Sequence, residues 1–206
     1  GFINCPINKK LINSTKNVGV TELLASKCKI KDHSEVMMIY NKKLSVVPLT
    51  THIKIKNISK KINVSLIIKK INTLNLFYKK IFKKRPRIGI LGLNPHNSEL
   101  SKNSEECVKI IPAITILKKK SYDIDGPLVA DTIFMNNNKK YDVIVGMYHD
   151  QVLTPMKALF GFDAINITLG LPFVRISPDH GPNTSMLGKN LSDPKSLMEA
   201  LKFLDK

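Results

Sequence analysis

The chain has 206 residues, of which 43% are hydrophobic and 24% charged, enough to bury a real core and too apolar for wholesale disorder. Lys and Arg number 33 against 16 Asp and Glu, a formal charge of +17 that raises nucleic acid or an anionic small molecule as a partner. No segment approaches the roughly 18 consecutive apolar residues of a membrane helix, and Cys5, Cys28 and Cys107 lack the spacing of a disulfide framework or a thiolate metal site, which fits a reducing cytoplasm.

The chain starts at Gly1 with an apolar run and no basic-then-apolar leader, and it reads as truncated at its N-terminus. In chain order, strands are expected over Phe2 to Cys5, Glu35 to Tyr40 and Leu44 to Thr50. A helix follows over about Asn63 to Phe82, where Val64, Ile67, Ile68, Ile71, Leu74 and Ile81 recur at helical spacing. Arg87 to Leu93 reads as a strand. From Ser104, the acidic pair Glu105 and Glu106 opens a second helix that ends at Lys118, Lys119 and Lys120, each charge on its favoured end. Asn136 to Lys140 is a surface loop, Asp142 to Tyr148 and Ala164 to Thr168 are strands, and Asp193 to Phe203 is a helix capped by Ser192 or Asp193 with Pro194 in its first turn. This alternation predicts an α/β fold around a largely buried sheet. Any boundary between lobes falls in residues 57–86, with a return near the C-terminus.

The lysines sit largely in groups such as Lys60-Lys61, Lys69-Lys70 and Lys79-Lys80, which read as solvated helix faces, and no aromatics are interleaved with them. No nucleic-acid partner is therefore expected. A basic nucleic-acid-binding module is the alternative, with a steep salt dependence as its signature.

Three of the five histidines, His52, His96 and His149, each follow a strand-like run. In open α/β sheets ligands bind outside the carboxyl ends of the strands, and three neutral imidazoles with open positions suit a catalytic zinc. One such histidine alone more often bonds a loop carbonyl than a metal; three in equivalent places shift the balance. His33 lies in a polar surface turn, and His180 in the loop Pro178-Asp179-His180-Gly181-Pro182. Neither a glycine-rich dinucleotide fingerprint nor a nucleophile elbow is present.

The stretches Gly92-Leu93-Asn94-Pro95-His96-Asn97, Gly146-Met147-Tyr148-His149-Asp150-Gln151 and Asn166-Ile167-Thr168-Leu169-Gly170-Leu171-Pro172-Phe173 resemble the 4-hydroxythreonine-4-phosphate dehydrogenase family. Cys5-Pro6-Ile7-Asn8-Lys9, Thr50-Thr51-His52, Gly126-Pro127, Ala130-Asp131-Thr132 and Ser177-Pro178-Asp179-His180-Gly181 extend the resemblance over nearly the whole chain. It implies the two-lobed isocitrate/isopropylmalate dehydrogenase-like α/β fold, with part of the N-terminal lobe missing from residues 1–206. It also implies a cytoplasmic homodimer using NAD or NADP without the usual glycine fingerprint, with cofactor-binding residues left unassigned. The divalent metal would be zinc, with magnesium or cobalt as alternatives, shared between subunits on His52, His96 and His149.

The resemblance further assigns Thr21, Lys157, Asn166 and Arg175 to a small phosphorylated amino acid substrate. Asp131 and Asp150 are carboxylates to watch, Asp150 because it adjoins His149 and would orient it. The implied reaction oxidises 4-phosphooxy-L-threonine to a 2-amino-3-oxo acid that decarboxylates to 3-amino-2-oxopropyl phosphate, in pyridoxal phosphate (vitamin B6) biosynthesis. A related enzyme of another phosphorylated hydroxy acid is the alternative, and a further reading is that the truncated chain lacks activity by itself. The sequence departs from the family pattern at Val20, where a histidine is common, in the short loop after His96, and at Pro182-Asn183-Thr184-Ser185.

Overall fold

A computed structural model describes residues 1–7, 20–30, 32–135, 137–182 and 184–205. Asn8, Lys9, Asn136 and Asn183, singled out above within longer stretches, lie outside the described residues.

Among the described residues eight strands form one mixed sheet: β1 (Phe2–Ile3), β2 (Val36–Tyr40), β3 (Ser45–Thr50), β4 (Ile88–Leu91), β5 (Ile124–Leu128), β6 (Val143–Tyr148), β7 (Ile165–Leu169) and β8 (Arg175–Pro178). Their spatial order is β1-β8-β7-β2-β3-β6-β4-β5. The run β3-β6-β4-β5 is parallel throughout, whereas β3-β2, β2-β7 and β7-β8 pair antiparallel. The helices are α1 (Val20–Lys27), α2 (Ile58–Lys61), α3 (Val64–Phe77), α4 (Ile111–Lys119), α5 (His149–Phe160) and α6 (Lys195–Leu204).

The sheet is buried on both faces, and the two-residue period of its strands shows it. Val36 and Met38 of β2, Val47 and Leu49 of β3, and Val143, Val145 and Met147 of β6 pack into one core, whereas Met37, Ile39, Val46 and Ile144 pack into the other. The first core takes Ile67, Ile71 and Leu74 from α3, Ile114 and Leu117 from α4, and Phe203 from α6; the second takes Val152 and Met156 from α5. Each such side chain contributes roughly 1.5 to 3 kcal/mol by leaving water.

α3 starts where Asn63 caps it, its Oδ1 accepting the Leu66 amide at 2.9 Å. A π-helical turn, Tyr78–Phe82, ends it, and Lys83 stops the chain in a left-handed conformation. At α6 the Asp193 carboxylate accepts the Lys195 amide at 2.8 Å, so Pro194 stands just before the helix and not inside its first turn. Lys70 corrects the reading of its doublet as a solvated face. It is 8% exposed, its Nζ donates to the Glu35 carbonyl at 2.6 Å, and burial lowers its pKa, because its position on α3 faces the sheet while Lys69 faces water.

Candidate functional site

β3, β6 and β4 are adjacent and parallel, so their carboxyl ends lie along one edge of the sheet. His52 follows β3, His149 opens α5 directly after β6, and His96 lies in the turn after β4. His52 and His149 meet, their ring centroids 5.7 Å apart, and both line a cleft of about 350 Å³. His96 is exposed and does not line it. Its turn is unusual: His96, Asn97, Ser98, Glu99 and Leu100 all have φ between 47° and 56°, the left-handed region, with no glycine among them. Each such residue costs roughly 1 to 2 kcal/mol, so the surroundings must enforce the turn.

Both imidazoles in the cleft have a carboxylate on their Nδ1 side. His149 Nδ1 is 2.6 Å from Asp150 Oδ1, and His52 Nδ1 is 3.7 Å from Glu22 Oε1, to which the Thr51 hydroxyl donates at 2.5 Å. Burial raises the Glu22 carboxyl, but the His52 imidazole and the Thr51 hydroxyl outweigh it and hold its pKa at about 2. A carboxylate behind Nδ1 orients an imidazole and leaves Nε2 as the ligand atom, as in many metal sites. Among the described residues no group of three His, Cys, Asp or Glu is gathered around one point: His52 and His149 meet, and His96 stands apart from them.

The other half of the cleft is cationic. Arg175, at the start of β8, is only 2% exposed. Its Nε donates to Asn4 Oδ1 at 2.6 Å and its Nη1 to Thr168 Oγ1 at 3.2 Å, and that hydroxyl lies 3.3 Å from Thr21 Oγ1. No acidic side chain among the described residues pairs with it, and burial pulls its pKa down to about 10, which leaves it charged at neutral pH. Lys157, on α5, is paired. Its Nζ is 2.7 Å from Asp179 Oδ2 and also donates to the Asp179 carbonyl. Burial raises the Asp179 carboxyl and outweighs the attraction of Lys157. Asn166 turns into the same cleft from β7 with its Oδ1 buried and without a hydrogen-bond partner among the described residues.

Thr21, His52, His149, Lys157, Asn166 and Arg175 thus share one cleft, and Val20 lines it beside them. Asp150 stands at its rim through His149, while Asp131 is exposed in a turn after β5 and does not line it. Sequence reasoning missed Glu22, although it adjoins Thr21, and Asp179, although it stands inside the stretch Ser177 to Gly181; Asn4 and Thr168 as partners of Arg175 carried no separate signal. A second, more apolar cleft of about 690 Å³ adjoins the first through Pro6, His180, Gly181 and Pro182, and Phe162, Met186, Leu187 and Leu191 line it.

The model of the pyridoxal phosphate biosynthetic protein PdxA family matches residues 1–204. The chain is 42% identical over 206 residues to 4-hydroxythreonine-4-phosphate dehydrogenase of Sulfurihydrogenibium sp., covering 98% of this chain and 63% of that protein. It is 39% identical to D-threonate 4-phosphate dehydrogenase of Cupriavidus necator, covering 96% of this chain and 60% of that one. Among solved structures, 4-hydroxythreonine-4-phosphate dehydrogenase from Klebsiella pneumoniae superposes with a TM-score of 0.82 at 33% identity, over 97% of this chain and 61% of the other. Isocitrate dehydrogenase from Methylococcus capsulatus, at 12% identity and a TM-score of 0.60 over 98% of this chain and 67% of the other, shares the fold alone. The chain spans less than two thirds of the length of its curated relatives, but the match runs from end to end of its own residues. On these matches the chain belongs to the PdxA family of pyridoxal phosphate biosynthetic proteins.

Proposed function

We propose that the chain carries the metal- and substrate-binding part of a NAD-dependent dehydrogenase that oxidises 4-phosphooxy-L-threonine. The product, a 2-amino-3-oxo acid, would lose carbon dioxide to give 3-amino-2-oxopropyl phosphate. One observation supports this most: Arg175 is buried, with no counter-ion among the described residues, in the cleft that holds two carboxylate-backed imidazoles. A buried unpaired cation is costly unless a ligand supplies the opposite charge, which favours an anionic substrate. Arg175 offers a planar two-point contact to a phosphate or carboxylate, and Lys157 adds a point charge by turning from Asp179. The orphaned Asn166 Oδ1 is an acceptor for a substrate amine or hydroxyl, and Thr21 Oγ1 a second polar contact.

The donor set fits a divalent cation held by His52 and His149, zinc being the natural choice for imidazole nitrogens, with magnesium or cobalt as alternatives. The third imidazole would be His96 of a second copy of the chain in a homodimer. When bound, such a cation acts as a Lewis acid on the reacting oxygen. The adjoining apolar cleft has the size to take part of NAD or NADP. A boundary between two lobes would fall at residues 57–86, with a return near the C-terminus.

Val20 favours a second reading: without the histidine common at that position, the substrate would be another phosphorylated hydroxy acid, such as the D-threonate 4-phosphate named for the Cupriavidus relative. The full-length protein, loaded with zinc, should reduce NAD with 4-phosphooxy-L-threonine at a kcat/KM above that for D-threonate 4-phosphate. The reverse order would move the assignment to the second substrate, and no reduction with either would end both readings.

A further inference from the structure

We propose that Glu106 is a positioning residue for the candidate metal site: its buried carboxylate, with the Gln151 amide as a second strut, fixes the turn carrying His96 against the helix carrying His149. The proposal rests on the metal reading above and adds to it two residues outside the cleft. Glu106 is 0% exposed. Its Oε1 accepts the backbone amides of Leu93 and Asn94 at 2.7 and 2.8 Å, and Asn94 Nδ2 lies 3.0 Å from Oε2. Burial by itself would raise this carboxyl, but the Asn94 and Leu93 donors outweigh it and hold the pKa below the ordinary glutamate value. A buried carboxylate is costly unless donors are gathered round it, and here they are two successive amides where the chain leaves β4. Glu106 opens a π-helical turn, Glu106–Ile110, a rare geometry that recurs at functional sites.

Gln151 braces the same point from the other side. Its Nε2 donates to the Gly92 carbonyl at 2.8 Å and its Oε1 accepts the Met147 amide at 2.7 Å, which ties the exit of β4 to the end of β6 just before His149. Packing leaves no slack: a Cβ on Gly92 would stand 2.0 Å from Asn97 Oδ1 and 3.1 Å from Glu106 Oε1. Asn97 Nδ2 in turn donates to the Pro127 carbonyl at 3.1 Å, anchoring the turn to β5. Five glycine-free left-handed residues would not hold this shape unaided. The clamp supplies what enforces it, so the direction of His96 is set by residues that touch neither metal nor substrate.

The test uses the full-length protein with Glu106→Gln, which keeps the shape and removes the charge, beside the parent and His96→Ala. Hydrogen exchange at the Leu93 and Asn94 amides should accelerate at least tenfold in Glu106→Gln while α3 exchanges as in the parent. Its affinity for Zn²⁺, read by chelator competition, should fall by about 10- to 100-fold, and Glu106→Asp should recover part of the loss. Parent-like exchange and affinity in Glu106→Gln would overturn the proposal. If His96→Ala binds Zn²⁺ as the parent does, the metal reading fails by itself, and the exchange rates alone then support or remove Glu106 as holder of the turn. If Glu106→Gln does not fold, Asn94→Ala and Gln151→Ala, which spare both amide bonds to Glu106, replace it. Weakened Zn²⁺ binding in these two supports the clamp, and parent-like affinity in both refutes it.

Discussion

Replacing Arg175 by methionine removes a guanidinium while keeping much of the side chain's length and apolar contact. Burial lowers the Arg175 pKa from 12.5 to about 10. At about 1.4 kcal/mol per unit the shift corresponds to a cost of roughly 3 kcal/mol for keeping the charge, and screening in an open cleft cuts this to roughly 1 to 2 kcal/mol. Against that relief stand the hydrogen bonds to Asn4 and Thr168, worth about 1 kcal/mol each. The two nearly cancel, so the ligand-free variant should melt within about 4 °C of the parent. Phosphate separates them. At ten times its Kd, an anion that binds only the folded parent adds about 1.4 kcal/mol, a rise of about 3 to 6 °C. Arg175→Met should lose nearly all of that rise in a thermal melt across a phosphate series at fixed ionic strength. Equal phosphate shifts in parent and variant, or a ligand-free loss of several kcal/mol, would refute the reasoning that Arg175 is a cation waiting for an anion.

The Glu22 carboxyl, held at about 2 when folded, contributes stability that is present above the ordinary glutamate value of 4.5 and is lost as pH falls through 4.5 toward 2. With the side chain 28% exposed this amounts to roughly 1 to 2 kcal/mol after screening, and Glu22→Gln should flatten that part of the urea-stability curve relative to the parent. Lys157→Ala leaves Asp179 buried without its cation and should cost roughly 1 to 3 kcal/mol, less in Lys157→Ala/Asp179→Asn; strictly additive losses in a double-mutant cycle would deny the pairing. Val20→His in the full-length protein should raise kcat/KM for 4-phosphooxy-L-threonine several-fold, whereas no gain, or loss of folding, would show that the position now serves structure.

The strands Val36–Tyr40, Ser45–Thr50 and Val143–Tyr148 are legible in the sequence within a residue of their limits, because apolar, β-branched runs of that length fit a sheet covered on both faces. Ile124–Leu128 and Arg175–Pro178 are not, since the first contains Asp125, Gly126 and Pro127 and the second begins on Arg and ends on Pro, residues that strands avoid. Those segments become strands because β4 and β7 offer them a ladder. α5 is hidden by Pro155, tolerated in the helix interior here. At the site, the placement of three histidines at strand ends is legible, but the neighbourhood β3-β6-β4 that puts them on one edge is a property of the sheet order. The turn at His96 to Leu100 has no glycine to announce its handedness, and the partnership of Lys157 with Asp179 spans residues whose proximity only the packed structure creates.

Among the described residues β1 joins the sheet only by pairing with β8, Phe2 opposite Arg175 and Ile3 opposite Ile176. The hydrogen bond from Arg175 to Asn4 therefore closes a contour of 171 residues, whereas Thr50, beside His52, reaches the Met147 carbonyl across 97. Closure entropy grows only slowly with length, but contacts between distant residues form late, after local ones have paid for themselves. During synthesis the imidazole side of the cleft can take shape while its cationic wall is still open. The proposed anion site is complete only when β8 has been made and β1 has paired with it, so that binding capacity would arrive late in folding and not along the way.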